Sequence, residues 1–209
     1  MDVLQYGNAE SSVVLVQPAD GRDLAFLENE IAEIRKTGCG DFLLLACRVE
    51  HWNRDLSPWE ALAVFGKDGF GDGAQATLEE IRKHCGDRRK TYYIGGYSLA
   101  GLFALWAACQ TDAFKGVAAA SPSVWFPGFT EYLRGHPMQT GAVCLSLGDR
   151  EDKTKNPVMA TVSAKIREVQ AILQTQNIPC ALEWNPGGHF KDADLRTARA
   201  FSRILHPAQ

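Results

Sequence analysis

A chain of 209 residues with 45% hydrophobic and 22% charged residues is long enough to bury a sizeable core, and it predicts one domain over residues 1–209. The formal net charge of −3 gives no reason to expect a nucleic-acid partner or an anionic membrane, and no apolar run reaches transmembrane length. The six cysteines show neither a C-x-x-C pair nor metal-type spacing with histidine. We therefore expect reduced core thiols, a cytoplasmic protein and no metal site. The sequence also has no basic-then-apolar N-terminal segment, so we expect no leader.

Short apolar runs alternate with amphipathic segments along the chain. We predict strands over residues 13–16, 42–49, 92–97, 116–120, 142–147 and 180–184. We predict helices over residues 23–36, 77–85, 157–176 and 193–205, and a buried helix directly after Ser98. Strands that alternate with helices indicate an α/β fold, here a three-layer α/β/α sandwich around a mostly parallel sheet of about six strands.

Residues 50–75 form a long segment without a predicted helix or strand, and they include two tryptophans and four glycines. A loop of this length in a compact domain is usually functional. We expect it to form one wall of an open site, with Trp52, Trp59 and Trp125 as an aromatic lining of the substrate pocket. The alternative for each tryptophan is packing in the core.

Ser98 lies where the third predicted strand turns into a helix. Its neighbours Gly96, Ala100 and Gly101 are small, as a sharp strand-to-helix turn requires. This is the pattern of a nucleophile elbow, Gly-x-Ser-x-Gly, with Ala100 in place of the last glycine. The alternative is an ordinary turn with a capping serine.

Polar side chains also follow the last two predicted strands. Asp149, Glu151 and Asp152 come after the fifth strand, and His189 comes after the sixth. The carboxyl ends of parallel strands meet at one edge of a sheet, so these groups should gather near Ser98. Serine, then acid, then histidine is the chain order of the α/β-hydrolase triad, in which histidine is the base and the acid orients it.

An oxyanion hole requires two backbone N–H donors. We expect one from Leu99, the residue after the serine, and the other from Ala19, in the loop after the first predicted strand. Pro18 stands where lipases usually have glycine, and proline has no N–H to donate.

Four segments resemble the esterase group of the α/β-hydrolase superfamily that includes esterase D and the enterochelin esterases. They are Arg-Asp-Leu-Ser-Pro at 54–58, the elbow at 96–101, Ser-Pro-Ser-Val-Trp at 121–125 and Gly-Asp-Arg-Glu at 148–151. The resemblance implies an α/β-hydrolase fold. This chain departs from the family in starting at what corresponds to the family's third strand and in having no obvious lid insertion, so we expect a small, lidless α/β-hydrolase with a sheet trimmed at one edge. The resemblance favours Glu151 as the triad acid, with Asp152 as the alternative.

The sequence therefore predicts a serine hydrolase that cleaves a carboxylic ester of a small molecule through an acyl-enzyme and without a cofactor. Ser98, His189 and Glu151 would carry the reaction. One alternative is acyl transfer to an alcohol or amine on the same fold, and another is an inactive, hydrolase-like binding protein. The sequence does not specify the substrate or the oligomeric state.

Overall fold

A computed structural model describes residues 1–38 and 40–206 of the chain. The strands are β1 (Val3–Gly7), β2 (Val13–Ala19), β3 (Leu43–Arg48), β4 (Thr91–Tyr97), β5 (Phe114–Ala120), β6 (Val143–Gly148) and β7 (Cys180–Asn185). The helices are α1 (Gly21–Lys36), α2 (Trp52–Asp55), α3 (Ala74–Arg82), α4 (Leu99–Gln110), α5 (Phe129–Gly135), α6 (Val162–Thr175) and α7 (Ala193–Leu205). A 3₁₀ turn, Met159–Thr161, leads into α6.

The seven strands form one sheet in the order β1-β3-β2-β4-β5-β6-β7. All neighbouring pairs are parallel except β1 with β3, which is antiparallel. The predicted parallel α/β sheet is confirmed, but β1 is one strand more than the six predicted. This five-residue strand lies at the edge and is only partly buried, so it lacks the continuous apolar run that marks the central strands.

Helices cover both faces of the sheet, which confirms the three-layer sandwich. On one face, α1 and α7 enclose a core that includes Leu27, Ile31 and Phe201. On the other face, α3 to α6 enclose a larger core around the fully buried α4. Helix α4 is apolar on all sides because it lies between the sheet and other elements of this layer.

Residues 50–75 are more ordered than the sequence predicts. They contain the short helix α2 and an isolated antiparallel bridge between Ala61 and Phe70. Phe70 also packs its ring against Phe126 and Trp125, so aromatic burial fixes part of this segment to the main core.

The order of the strands determines where a site can form. The chain moves from β2 outward to β3, and then crosses back over β2 to β4 on its other side. The carboxyl ends of β2 and β4 therefore flank a topological switch point, where open α/β sheets usually bind their ligands. Ser98 follows β4 directly, at this point.

Five cysteines lie in the described part of the chain, and each is free. Burial raises the pKa of the Cys47, Cys85, Cys109 and Cys180 thiols to about 12, so these thiols are protonated at neutral pH. Cys39 lies outside the described residues. Within residues 1–38 and 40–206, no helix has both the length and the apolar character needed to cross a membrane.

Candidate active site

Ser98 occupies a strained turn between β4 and α4. Its φ of 58° and ψ of −118° lie in a region that L-residues seldom adopt, as at the serine of a nucleophile elbow. The turn is so tight that a Cβ added to Gly96 would lie 2.6 Å from the Ala100 Cβ. Ala100 itself fits only because the residue at position 96 is a glycine, which explains how the elbow tolerates the departure from Gly-x-Ser-x-Gly.

The loops after β6 and β7 bring two further polar side chains to Ser98. His189 Nε2 lies 3.0 Å from Ser98 Oγ, and His189 Nδ1 lies 2.6 Å from Glu151 Oε2. These contacts form a continuous hydrogen-bonded chain from hydroxyl to imidazole to carboxylate. The three residues that the sequence singled out as nucleophile, base and acid are thus in contact.

The other two acids of the cluster have different partners. Asp149 Oδ1 accepts a hydrogen bond of 2.7 Å from the Gly187 N–H, which ties the histidine loop to the end of β6. Asp152 Oδ1 lies 3.7 Å from Lys153 Nζ. The carboxylate that contacts His189 is therefore Glu151, while Asp152 forms an ion pair with its neighbour.

The second oxygen of Glu151 is held by three donors. Glu151 Oε1 accepts hydrogen bonds from the Gly148 N–H at 2.7 Å, from Ser121 Oγ at 2.7 Å and from Arg196 Nη1 at 2.9 Å. Burial acts to raise the pKa of Glu151, but the hydrogen bonds from His189, Ser121 and Gly148 and the charge of His189 outweigh it. The pKa therefore lies below its ordinary value, and the carboxylate is ionised at neutral pH.

Arg196 is a buried cation that the sequence reading missed. It is 1% exposed, and its Nη2 donates to the carbonyls of Pro186 and Gly188 in the histidine loop. Its Nη1 also contacts the Tyr97 hydroxyl, which in turn donates to the carbonyl of His189. One guanidinium thus holds both the carboxylate and the loop that carries the imidazole. An arginine on the apolar stripe of an amphipathic helix was the signal that could have revealed it.

Substituting Arg196 with methionine is expected to lower the free energy of unfolding by about 3–5 kcal/mol, because it leaves the buried Glu151 carboxylate without its cation. Urea denaturation at neutral pH measures the change. Arg199→Met, on the exposed side of the same helix, is the matched control and should cost less than about 1 kcal/mol. An equal decrease in the free energy of unfolding in the two variants would show that the buried Arg196–Glu151 ion pair contributes no more to stability than the exposed Arg199 side chain does.

Ser123 is a second residue that sequence reasoning did not assign. Its Oγ lies 3.2 Å from Ser98 Oγ, and its N–H donates to the carbonyl of Ser98. It is buried, and it belongs to the segment that leaves β5. Ser123 therefore contacts both the side chain and the backbone of Ser98 and can help to fix the orientation of its hydroxyl.

The two expected oxyanion donors differ in their surroundings. Leu99 is the first residue of α4, where a backbone N–H has no intrahelical acceptor. Ala19 pairs with Arg48 on β3, and its carbonyl accepts from the Val49 N–H. The N–H and C=O of one residue point to the same side of a strand, so the Ala19 amide faces β3, away from Ser98. The geometry therefore does not support Ala19 as the second donor.

Ser98 and His189 open into a cleft of about 780 Å³. Trp52 and Trp125 line it, as the sequence led us to expect, and Phe65 joins them. Trp59 does not line the cleft. Its Nε1 donates to the carbonyl of Pro127, and its ring packs against Phe126 and Tyr132, so core packing is the correct interpretation for this tryptophan.

Comparison with known proteins finds similarity at the level of structure only. No family model and no curated protein matches the chain. The siderophore hydrolase EstA from Aspergillus nidulans has 15% sequence identity and a TM-score of 0.67, with 99% of this chain and 95% of EstA covered. An IroE-like serine hydrolase from Shewanella oneidensis has 16% identity and a TM-score of 0.69, with 93% and 68% covered.

The serine hydrolase FphF from Staphylococcus aureus, which binds fluorophosphonates, has 10% identity and a TM-score of 0.63, with 98% of each chain covered. At these identities the likeness concerns the fold. The chain has the α/β-hydrolase fold and resembles the esterases that share it.

Proposed function

We propose that this protein is a serine hydrolase that cleaves a carboxylic ester of a small molecule. The observation that supports this most directly is the continuous hydrogen-bonded chain from Ser98 through His189 to Glu151. A serine hydroxyl is a poor nucleophile until a base accepts its proton, and a histidine needs an acid to fix its tautomer. Ser98 and His189 both line one cleft, and Glu151 lies buried behind the imidazole that it contacts. The structural likeness to esterases and serine hydrolases supports the same conclusion.

In the proposed mechanism, Ser98 Oγ attacks the carbonyl carbon of the ester while His189 Nε2 takes the hydroxyl proton. His189 Nδ1–H donates to Glu151, whose ionised carboxylate stabilises the imidazolium. The tetrahedral intermediate collapses when His189 returns the proton to the departing alcohol, which leaves Ser98 acylated. Water, activated by His189, then attacks the acyl-enzyme and releases the acid.

The Leu99 N–H at the start of α4 is our candidate for the first oxyanion donor, and the positive end of that helix supports a developing negative charge. The acyl and alcohol portions of the substrate would occupy the cleft beside Trp52 and Trp125. We also propose a cytoplasmic location, since the five described cysteines are free.

A rapid-mixing experiment with p-nitrophenyl butyrate tests the proposal. We expect a burst of p-nitrophenol whose amplitude approaches one equivalent per chain when deacylation is the slower step, followed by steady turnover. Folded protein that gives neither a burst nor turnover with esters of short and medium acyl chains would favour the inactive binding protein instead.

A further inference from the structure

The cleft beside Ser98 combines two kinds of lining. Its aromatic residues come from the 50–75 segment, from the segment after β5, from α1, from the end of β4 and from the loop after β7. Its charged residues come from the end of β2, from α1 and from the start of α7. These are the carboxylates of Asp20, Asp23, Glu30, Asp192 and Asp194, and a single cation, Arg22. Five carboxylates beside one guanidinium disfavour an anionic ligand.

Glu30 and Gln17 are the buried members of this lining, and each is only 3% exposed. Gln17 Nε2 donates to Glu30 Oε2 at 3.2 Å. The other oxygens, Gln17 Oε1 and Glu30 Oε1, have no hydrogen-bond partner in residues 1–38 and 40–206. A buried acceptor without a donor is costly. Because both residues line the cleft, we expect a ligand that enters beside them with several N–H groups to satisfy both oxygens.

Primary ammonium and guanidinium groups fit these surroundings best. Each offers at least three N–H donors and a positive charge, and hydrogen bonds between charged groups are about twice as strong as neutral ones. The rings of Phe26 and Phe190 also line the cleft although they are 53% and 86% exposed, so they are free to cover a cation with their faces.

We propose that Glu30 and Gln17 form a subsite that binds an ammonium or guanidinium group of the ester substrate. This inference rests on the proposed ester hydrolase function, because it assigns the class of substrate that the same cleft accepts. The carboxylates of Asp23 and Asp194 add attraction at longer range, and Arg22 opposes it.

The subsite also predicts a pH dependence. Burial raises the pKa of Glu30 to about 8; the Gln17 hydrogen bond lowers it, and the charges of Asp23 on the same helix and Asp194 on α7 raise it further. The charges of Asp20, Asp192 and Arg22 share the cleft. Below about pH 8 the Glu30 carboxyl is mostly protonated when no ligand is bound, so the binding of a cation displaces a proton from it. The KM of a cationic ester should therefore fall by up to about tenfold per pH unit as the pH approaches 8, and then level off.

Matched esters that differ only in charge test the proposal. On the acyl side, the p-nitrophenyl ester of ε-aminohexanoic acid is compared with that of heptanoic acid, in which a methyl group replaces the ammonium. On the alcohol side, ω-aminopentyl butyrate is compared with hexyl butyrate. In at least one pair, we expect kcat/KM to be about ten- to a hundredfold higher for the cationic ester.

Glu30→Gln should reduce this preference about tenfold or more and remove its pH dependence, while Glu28→Gln, an exposed carboxylate on the same helix, should leave both unchanged. Equal kcat/KM within both pairs, or a preference that survives in Glu30→Gln, would overturn the subsite. Absence of hydrolysis of all four esters would instead contradict the proposed hydrolase function. The pH profile of the wild-type protein provides a separate test if Glu30→Gln does not fold.

Discussion

Ser98→Ala is expected to lower kcat/KM for p-nitrophenyl butyrate by roughly 10⁴-fold or more, as loss of the nucleophile does in serine hydrolases. The substitution removes only the hydroxyl that lies 3.0 Å from His189 Nε2. Alanine retains the small volume that the elbow needs and has no greater difficulty with the φ of 58° than serine has. Steady-state kinetics and a thermal melt of the same preparation measure activity and folding together.

Ser123→Ala is the matched comparison, because its hydroxyl is the nearest other nucleophile, 3.2 Å from Ser98 Oγ. Ser123 has no contact with His189 among the described hydrogen bonds, so we expect a loss of about tenfold or less, the weight of one hydrogen bond. If Ser123→Ala abolished turnover while Ser98→Ala retained it, the assignment of the nucleophile would be wrong.

Glu151→Gln is expected to reduce kcat by about 10²- to 10⁴-fold, because an amide cannot stabilise the imidazolium and favours the wrong tautomer of His189. The glutamine retains the shape of the side chain, but it leaves the buried Arg196 without a counter-charge, so a loss of stability should accompany the loss of rate. Kinetics measured well below the melting temperature separate the two effects.

Asp152→Asn distinguishes the two acids that the sequence left open. Asp152 pairs with Lys153 rather than with His189, so its charge does not act on the imidazole directly, and we expect kcat to change by less than about threefold. A large loss in Asp152→Asn with near-normal rates in Glu151→Gln would show that the histidine pairs with the other carboxylate during turnover.

Much of this arrangement was predictable from the sequence because it depends on local signals. A strand, small residues and a serine define the elbow at Ser98, and the chain order of polar groups at strand ends points to His189. The central strands were likewise predictable, because each is marked by a short apolar run in the sequence itself. Strand β1 was not predicted because a short edge strand is defined by its pairing with β3 rather than by its own composition.

The missed features depend on tertiary contacts. Arg196 is far from Glu151 in the sequence, and its role appears only when α7 packs beside β6. The direction of the Ala19 amide follows from the side of β2 on which β3 lies, which a motif alignment does not specify. Glu30, in contrast, could have been noticed from the sequence alone. It lies on the apolar stripe of α1 with Leu27, Ile31 and Ile34, where a buried carboxylate is unusual.

Covalent labelling with a fluorophosphonate tests the central claim most directly, since the probe reacts with an activated serine. Intact-protein mass spectrometry should show one adduct per wild-type chain, peptide mapping should place it on Ser98, and both Ser98→Ala and His189→Ala should prevent it. An adduct on another residue, or labelling of the Ser98→Ala variant at the wild-type rate, would contradict the account.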